Sequence, residues 1–256
     1  MRDWPKKFFN PAFYNPASPA AVRVAPSEVV FMAKALGLKK GMKLLDLCCG
    51  PGRHSLAFAA RGIAVTGLDF SLQYLAMARR LAQKKRLPAR FVRGDMRRLK
   101  YRAEFDAVLN AFSSFGYFSK AEDLRVLKGI ARALKPGGVV LLDMMDKAWL
   151  EKNFRPKSWD LLEDGSYLLT EDTYDRKTAS LHGSWTVLHP GRLPQSRDLR
   201  LNLYDEKSLG SLLRRAGLTP VKRWSALSFK PRLINNRLVL LARKPLVKGD
   251  NNGKNG

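Results

Sequence analysis

A short stretch of the sequence, LLDLCCGPGRHSL, combines residue types that suit contact with a ligand. An apolar run ends at Asp46, and within seven positions come Cys48, Gly50 and Gly52. A carboxylate beside a glycine turn suits an ammonium group, and glycines let the backbone pass close to a ligand because they carry no Cβ. A dinucleotide would instead favour G-x-G-x-x-G, but the third position of that pattern is Ser55. The stretch therefore favours a cationic ligand over a pyrophosphate.

The two cysteines of the chain, Cys48 and Cys49, are adjacent. Neighbouring residues do not close an ordinary disulfide loop, and two thiols alone do not complete a zinc site. A strained vicinal disulfide is the alternative. We interpret both cysteines as small residues in a crowded turn of a protein from a reducing compartment, and we expect no metal.

Polar residues also stand at the ends of the next predicted strands. The second strand, IAVTGLD, ends at Asp69, where a carboxylate can accept hydrogen bonds from both hydroxyls of a ribose. The third strand runs into GDM, where Asp95 can accept from an adenine amino group and Met96 can cover the ring. Singly, each aspartate is explained by a turn or a helix cap. Three acids at three successive strand ends favour a nucleoside site.

The elements that carry these residues alternate between strand and helix periodicity, which predicts an α/β, doubly wound, mostly parallel seven-stranded Rossmann-like sheet. We expect Ser27 to cap the first helix, SEVVFMAKALGL, and Ser71 to cap SLQYLAMARRLAQKKR. Residues 146–204 break the rhythm, because YLLTEDTYD, SLHGSWTVL and DLRLNLY alternate polar and apolar residues. They predict an antiparallel β insertion before the last helix.

The ordered motifs resemble those of the class I S-adenosylmethionine-dependent methyltransferases, over roughly residues 26–145. The resemblance implies S-adenosylmethionine as the cofactor, whose ammonium and sulfonium groups suit carboxylates. It also places the end of the fourth strand, FDAVLN, near the methionine part of the cofactor. The cofactor-binding residues that it implies are Asp46, Cys48, Gly50, Gly52, Asp69, Phe70, Asp95, Met96 and Asn110.

A closer pattern, LDLCCGPGRHS followed by GDMR and VLNAFSSFGYF, is similar to bacterial small-molecule methyltransferases such as glycine, sarcosine or amino-sugar N-methyltransferases. In such relatives an antiparallel insertion roofs the active site. The expected organisation is an N-terminal aromatic lid (1–25), a cofactor-binding core (26–145), a substrate roof (146–204), a C-terminal helix with closing strands (205–245) and a disordered tail (246–256).

Methyl transfer is a displacement at an activated carbon, so positioning alone can supply roughly 7–11 kcal/mol and no base is indispensable. We predict Tyr117 and His54 as the catalytic residues. Tyr117 follows the fourth strand, where the resemblance places the methyl group, and core packing is its alternative explanation. His54 follows the glycine turn, where local hydrogen bonding explains it equally well. His182 and His189 lie in the insertion, and we expect solvated positions for both.

Three other features suggest contacts with ligands. Arg23 precedes the predicted first helix and is a candidate partner for the cofactor carboxylate. The N-terminal aromatic residues form either a lid or a separate hydrophobic cluster. The acid-rich stretch 159–175 either recognises an amine or forms an exposed strand face. The aromatic residues in question are Trp4, Phe8, Phe9, Phe13 and Tyr14.

The net charge of +25 at pH 7 leaves the acceptor open. Residues 79–102 and 214–244 are strongly basic, which suits either phosphate contacts or a solvated basic surface. A small-molecule acceptor, methylated on N or O, is the first hypothesis, because the insertion and the motifs favour it. An RNA acceptor, methylated on a ring nitrogen or a ribose, is the second. The sequence NAFSSF lacks the [ND]-P-P-[YF] motif that holds a flipped amino base.

No run of 18 apolar residues is present, and the N-terminus has no apolar signal core. We therefore expect a cytoplasmic protein without a membrane partner. Relatives of the resembling type include dimers, and no sequence feature decides between a monomer and a homodimer.

Overall fold

A computed structural model describes residues 4–14, 16–229 and 236–246. Most of the predicted tail, 247–256, and part of the second basic stretch, 230–235, lie outside the described residues. The helices are α1 (Trp4–Phe8), α2 (Pro19–Leu36), α3 (Arg53–Ala59), α4 (Leu72–Lys84), α5 (Lys120–Ala133), α6 (Lys147–Asn153) and α7 (Glu206–Arg215). The strands are β1 (Lys43–Leu47), β2 (Ala64–Asp69), β3 (Ala89–Arg93), β4 (Phe105–Asn110), β5 (Leu134–Met145), β6 (Lys157–Leu161), β7 (Tyr167–Asp175), β8 (Ser180–Leu188), β9 (Gln195–Asn202), β10 (Thr219–Trp224) and β11 (Arg237–Arg243).

The central sheet has seven strands in the order β10-β11-β5-β4-β1-β2-β3, which confirms the predicted doubly wound α/β fold. Strands β1 to β5 pair in parallel, and β11 runs antiparallel to both β5 and β10. The inner strands β1 and β4 are almost wholly buried, as expected for strands covered on both faces. Strands β2 and β3 lie on one side of β1, and β4 and β5 lie on its other side, so the strand order reverses between β1 and β4. In such sheets, ligands bind beyond the carboxyl ends of the strands at this switch point.

Helix α2 begins earlier than the sequence pattern suggests, and the expectation that Ser27 caps it is wrong. The Ser18 hydroxyl accepts a hydrogen bond from the Ala21 backbone N–H at 3.3 Å, and Pro19 occupies the first turn. A serine cap followed by proline is a stronger start signal than a serine in mid-pattern. Ser27 instead donates to the Val24 carbonyl inside the helix. The helix therefore crosses the expected boundary between residues 25 and 26.

The expected cap of α4 is present, since the Ser71 hydroxyl accepts from the Tyr74 backbone N–H. None of the helices in the described ranges is long and apolar enough to cross a membrane.

The insertion forms a second, four-stranded antiparallel sheet in the order β6-β7-β8-β9. Helix α6 and strand β6 were not among the predicted elements. The Asp146 carboxylate caps the N-terminus of α6 by accepting a hydrogen bond from the Ala148 backbone N–H at 2.9 Å. Buried hydrogen bonds join the end of the insertion to α5, because Asn202 and Tyr204 both donate to Asp123 at 2.8 Å. Burial raises the pKa of Asp123 to about 6, although these two bonds oppose the rise.

Candidate functional site

A cavity of about 460 Å³ lies over the carboxyl ends of β1 to β4. The N-terminal segment and the second sheet form the opposite wall. Its volume is within the 300–1,000 Å³ range that is usual for small-molecule sites. The described residues contain no group of three or more side chains placed to hold a metal ion.

Asp46, at the end of β1, is buried in the cavity wall. The Ser55 hydroxyl donates to its Oδ2 at 2.5 Å. Burial raises the pKa of Asp46, while the charge of His54 and the hydrogen bond from Ser55 oppose that rise. The residue that breaks the dinucleotide pattern therefore orients the carboxylate of the first motif.

Asp69, at the end of β2, links the first motif to the second strand. Its Oδ2 accepts from the Gly50 backbone N–H at 2.9 Å, and its Oδ1 accepts from the Ser71 backbone N–H at 2.8 Å. Burial raises the pKa of Asp69, and these backbone bonds oppose the rise. Two acidic side chains thus line one cavity at neighbouring strand ends.

The turn after β1 contains three residues in the left-handed region, with φ of 64° at Cys48, 53° at Gly50 and 82° at Gly52. Cys48 and Gly50 line the cavity, and both cysteines are free. Gly52 is not among the residues that line it, and its expected role under the ligand stays a prediction. A Cβ at Gly52 would meet Ala78 at 3.0 Å and the Phe91 ring at 3.1 Å. Gly52 is thus required for packing against α4 and β3.

The end of β3 places Asp95 and Met96 at the cavity, with Phe70 on the neighbouring wall. Both Asp95 carboxylate oxygens accept hydrogen bonds from the Arg97 guanidinium. Burial would raise the pKa of Asp95, but the Arg97 bonds outweigh it and lower that pKa. Met96 is buried, with its sulfur 3.4 Å from the Cys48 sulfur. The arginine partner of Asp95 was not anticipated.

Asn110 is fully buried and is not among the residues that line the cavity, so its expected contact with the methionine part of a cofactor stays a prediction. Its Nδ2 donates to the Leu47 carbonyl at 3.0 Å and ties the end of β4 to β1. The residues that follow it reach the cavity instead. They are Ala111, Phe112, Ser113 and Ser114.

The loop after β4 is held in a strained conformation, with φ of 60° at Phe112 and 56° at Ser113. The fully buried Asp143 accepts from the Phe112 N–H through its carboxylate and from the Ser113 N–H through its carbonyl. The Arg237 guanidinium pairs with the same carboxylate. Arg237 and Arg53 also lie 5.6 and 4.7 Å from the centre of the Phe112 ring. The sequence reasoning found neither Asp143 nor Arg237.

Tyr117 lines the cavity between the loop and the aromatic N-terminal segment. Its ring centroid lies 5.3 Å from those of Trp4 and Phe9. Burial, followed by the charges of Cys48 and Tyr14, raises the pKa of Tyr117 well above its ordinary value. The phenol therefore remains protonated near neutral pH and acts as a hydrogen-bonding group, not as a phenolate.

His54 is buried at the cavity wall, and its Nε2 lies 2.8 Å from Glu28 Oε2. The Arg53 guanidinium donates to the same oxygen at 2.6 Å. Burial would raise the pKa of Glu28, but the hydrogen bonds and charges of His54 and Arg53 outweigh it and lower that pKa to about 2. Arg53 lines the cavity, and its Nη2 is buried and has no hydrogen-bond partner in the described part of the chain. Its position within GPGRH was the only sequence signal for Arg53.

Arg23 does not reach the cavity, so its expected pairing with a cofactor carboxylate is not supported. Its guanidinium pairs with Glu163 at 2.6 Å on the exposed surface. The N-terminal aromatic residues form a hydrophobic cluster, and their role as a lid stays a prediction. Trp4, Phe8 and Phe13 pack with Val187 of the second sheet in one buried cluster, and Trp4 and Phe8 also line the cavity.

Comparisons with known proteins agree with this architecture. A family model described as "Methyltransferase domain" matches residues 44–138. The chain is 38% identical over 115 residues to the cypemycin N-terminal methyltransferase of a Streptomyces species, covering 44% of this chain and 45% of that protein. It is 35% identical over 118 residues to the dTDP-3-amino-3,6-dideoxy-alpha-D-glucopyranose N,N-dimethyltransferase of Streptomyces fradiae, covering 46% and 44% respectively. The matches span about half the length of these curated relatives.

The fold likeness extends over nearly the whole chain. The CcbJ methyltransferase of Streptomyces caelestis superposes with a TM-score of 0.76 at 20% identity, covering 95% of this chain and 97% of that one. Streptomyces venezuelae DesVI superposes with a TM-score of 0.64 at 25% identity, covering 91% and 100%. Residues 44–138 therefore match a methyltransferase domain, and the chain has the fold of these solved methyltransferase structures.

Proposed function

We propose that the chain transfers a methyl group from S-adenosylmethionine to N or O of a small-molecule acceptor inside this cavity. The observation that carries the proposal is the polar set at the strand ends. Asp46 and Asp69 are buried carboxylates, and Arg53 lines the same cavity and has one guanidinium nitrogen, Nη2, without a hydrogen-bond partner among the described residues. Carboxylates suit the ammonium and ribose hydroxyls of the cofactor, and a guanidinium suits its carboxylate.

In this assignment Asp69 binds the ribose, while Asp46 and the Gly50 turn lie beside the ammonium. Arg53 replaces Arg23 as the partner of the cofactor carboxylate, because it lines the cavity and Arg23 does not. Met96 and Phe70 supply the apolar wall for the adenine. Arg97 already bonds both oxygens of the Asp95 carboxylate, so a role for Asp95 at the adenine depends on its remaining acceptor capacity.

The bound cofactor supplies an activated methyl group, and the acceptor lone pair forms the new bond as the carbon–sulfur bond breaks. The chain positions the acceptor and excludes water. Tyr117 offers a neutral hydroxyl to the acceptor. His54 is held by Glu28 at 2.8 Å, so we assign it a positioning role on this wall.

Two observations favour a small acceptor over RNA. The aromatic segment and the second sheet cover the cavity and leave an apolar wall of Trp4, Phe8 and Trp185. The arginines of the cavity wall are also paired with carboxylates, as Arg53–Glu28, Arg97–Asp95 and Arg237–Asp143. Such pairs reduce the positive charge that the cavity wall offers to a phosphate backbone, although Arg53 Nη2 has no partner among the described residues. The similarity to an amino-sugar N,N-dimethyltransferase supports nitrogen as the methylated atom.

Calorimetric titration of S-adenosylmethionine into the wild type, Asp69→Asn and Asp198→Asn tests the cofactor assignment. Hydrogen bonds to a charged group contribute about 1.5–3 kcal/mol, so Asp69→Asn should weaken binding about 10- to 100-fold. Asp198 is an exposed aspartate on β9 outside the cavity, and its variant should bind normally. Equal affinity of all three proteins would refute the assignment of Asp69, and no binding by the wild type would refute the proposed function.

A further inference from the structure

Among the described residues, the second sheet contributes one carboxylate to the cavity wall, that of Asp172 on β7. Its neighbours on that wall are apolar: Leu181 and Trp185 on β8, and Leu199 on β9. Asp172 Oδ1 is buried and has no hydrogen-bond partner among the described residues. A buried, unpaired carboxylate is unfavourable unless a cation or a donor approaches it.

The strand opposite Asp172 is shaped to accommodate this carboxylate. Gly183 pairs directly with Asp172 across β7 and β8. A Cβ at Gly183 would overlap Asp172 Oδ1. Glycine weakens the interior of a strand and often marks a close approach. At Gly183 it makes room for the Asp172 side chain, which lines the cavity while its Oδ1 is buried against β8 with no partner among the described residues.

The other acidic residues of the 159–175 stretch do not line the cavity, so the amine-recognition hypothesis narrows to one side chain. Glu163 pairs with Arg23 at 2.6 Å, and Glu171 pairs with Lys157 at 2.9 Å on the exposed surface. Asp175 accepts hydrogen bonds from the neighbouring turn. Burial also raises the pKa of Asp172 to about 6, which is the expected effect of an apolar wall on an unpaired carboxylate.

We propose that Asp172 recognises the acceptor through a cationic amine and receives its proton, so that the substrate class is a small aliphatic amine. The inference rests on the proposed function. The carboxylate binds R–NH3⁺ and takes one proton from it, which leaves R–NH2 with a free lone pair and Asp172 as the neutral acid. The lone pair then forms the N–CH3 bond while the electrons of the carbon–sulfur bond remain on sulfur. An alcohol of the same shape offers no charge to Asp172.

The test compares cyclohexylamine with cyclohexanol, two probes of similar shape that differ in charge. Their dissociation constants are measured by ligand-observed NMR at pH 8, where Asp172 is ionised and the amine is protonated. The proteins are the wild type, Asp172→Asn, Gly183→Ala and the control Asp198→Asn. Gly183→Ala keeps the carboxylate but displaces it from its place opposite β8.

The wild type and Asp198→Asn should bind the amine at least tenfold more tightly than the alcohol. In Asp172→Asn and Gly183→Ala this ratio should fall to near one, while S-adenosylmethionine affinity stays within about twofold of the wild type. A ratio near one in the wild type, no amine binding, or a tenfold ratio that survives in Asp172→Asn would overturn the inference. If S-adenosylmethionine still binds the wild type in those cases, the proposed function stands and only the amine assignment fails.

Discussion

Replacing Asp172 with asparagine should stabilise the folded chain above pH 6, because the substitution removes a partly buried charge that has no partner among the described residues. The folded-state pKa of about 6 lies roughly two pH units above the ordinary 3.8. This difference corresponds to about 3 kcal/mol for a fully buried group. Asp172 is only partly buried, and allowing for solvent screening reduces the expected effect to about 1–2 kcal/mol.

The sign follows from proton binding. Between pH 4 and pH 6 the folded wild type binds more protons than the unfolded chain, so its stability falls as the pH rises. Asp172→Asn lacks this loss, and its advantage over the wild type should therefore grow from near zero at pH 4 to its full size at pH 7–8. Urea unfolding of both proteins, with Asp198→Asn as the control, measures the difference at each pH. If Asp172→Asn is no more stable than the wild type, or if its gain in stability does not change with pH, the interpretation of Asp172 as an unpaired carboxylate is refuted.

Three other substitutions test the walls of the cavity. Arg237→Met leaves Asp143 buried without its cation and should lower the free energy of unfolding by about 3–5 kcal/mol in a thermal or urea melt. Gly52→Ala should destabilise by more than Gly217→Ala, since both glycines have a φ of 82° but only at Gly52 would a Cβ meet other atoms; equal losses would contradict the packing role. Glu28→Gln removes the charge that holds Arg53, and calorimetry should show weaker S-adenosylmethionine binding with a melting temperature within about 4 °C of the wild type.

Much of the fold follows from local pattern, because buried parallel strands leave apolar runs such as VVLL in β5. The motif at Asp46 and the acid at Asp69 were found for the same reason, since each polar residue interrupts such a run at the end of a strand. Boundaries were harder to place. Ser27 and Ser18 are both plausible caps by type, and the proline after Ser18 distinguishes them.

The contacts that complete the site are non-local, and no spacing in the sequence reveals them. Arg53 meets Glu28 across α2 and α3, and Arg237 meets Asp143 across 94 positions of the chain. The facing of Asp172 and Gly183 depends on the register of β7 and β8, where a shift of one residue would turn the carboxylate away from the cavity. Composition alone could identify an acid-rich stretch but not the member of it that faces inward.

The most direct test of the central claim is the fate of the methyl group. Purified protein is incubated with methyl-labelled S-adenosylmethionine and, separately, with total RNA and with the small-metabolite fraction of a cell lysate. A small-molecule methyltransferase should transfer label to amines of the metabolite fraction and leave RNA unlabelled. Label in RNA would contradict a closed small-molecule site and assign the +25 charge a role in binding the acceptor.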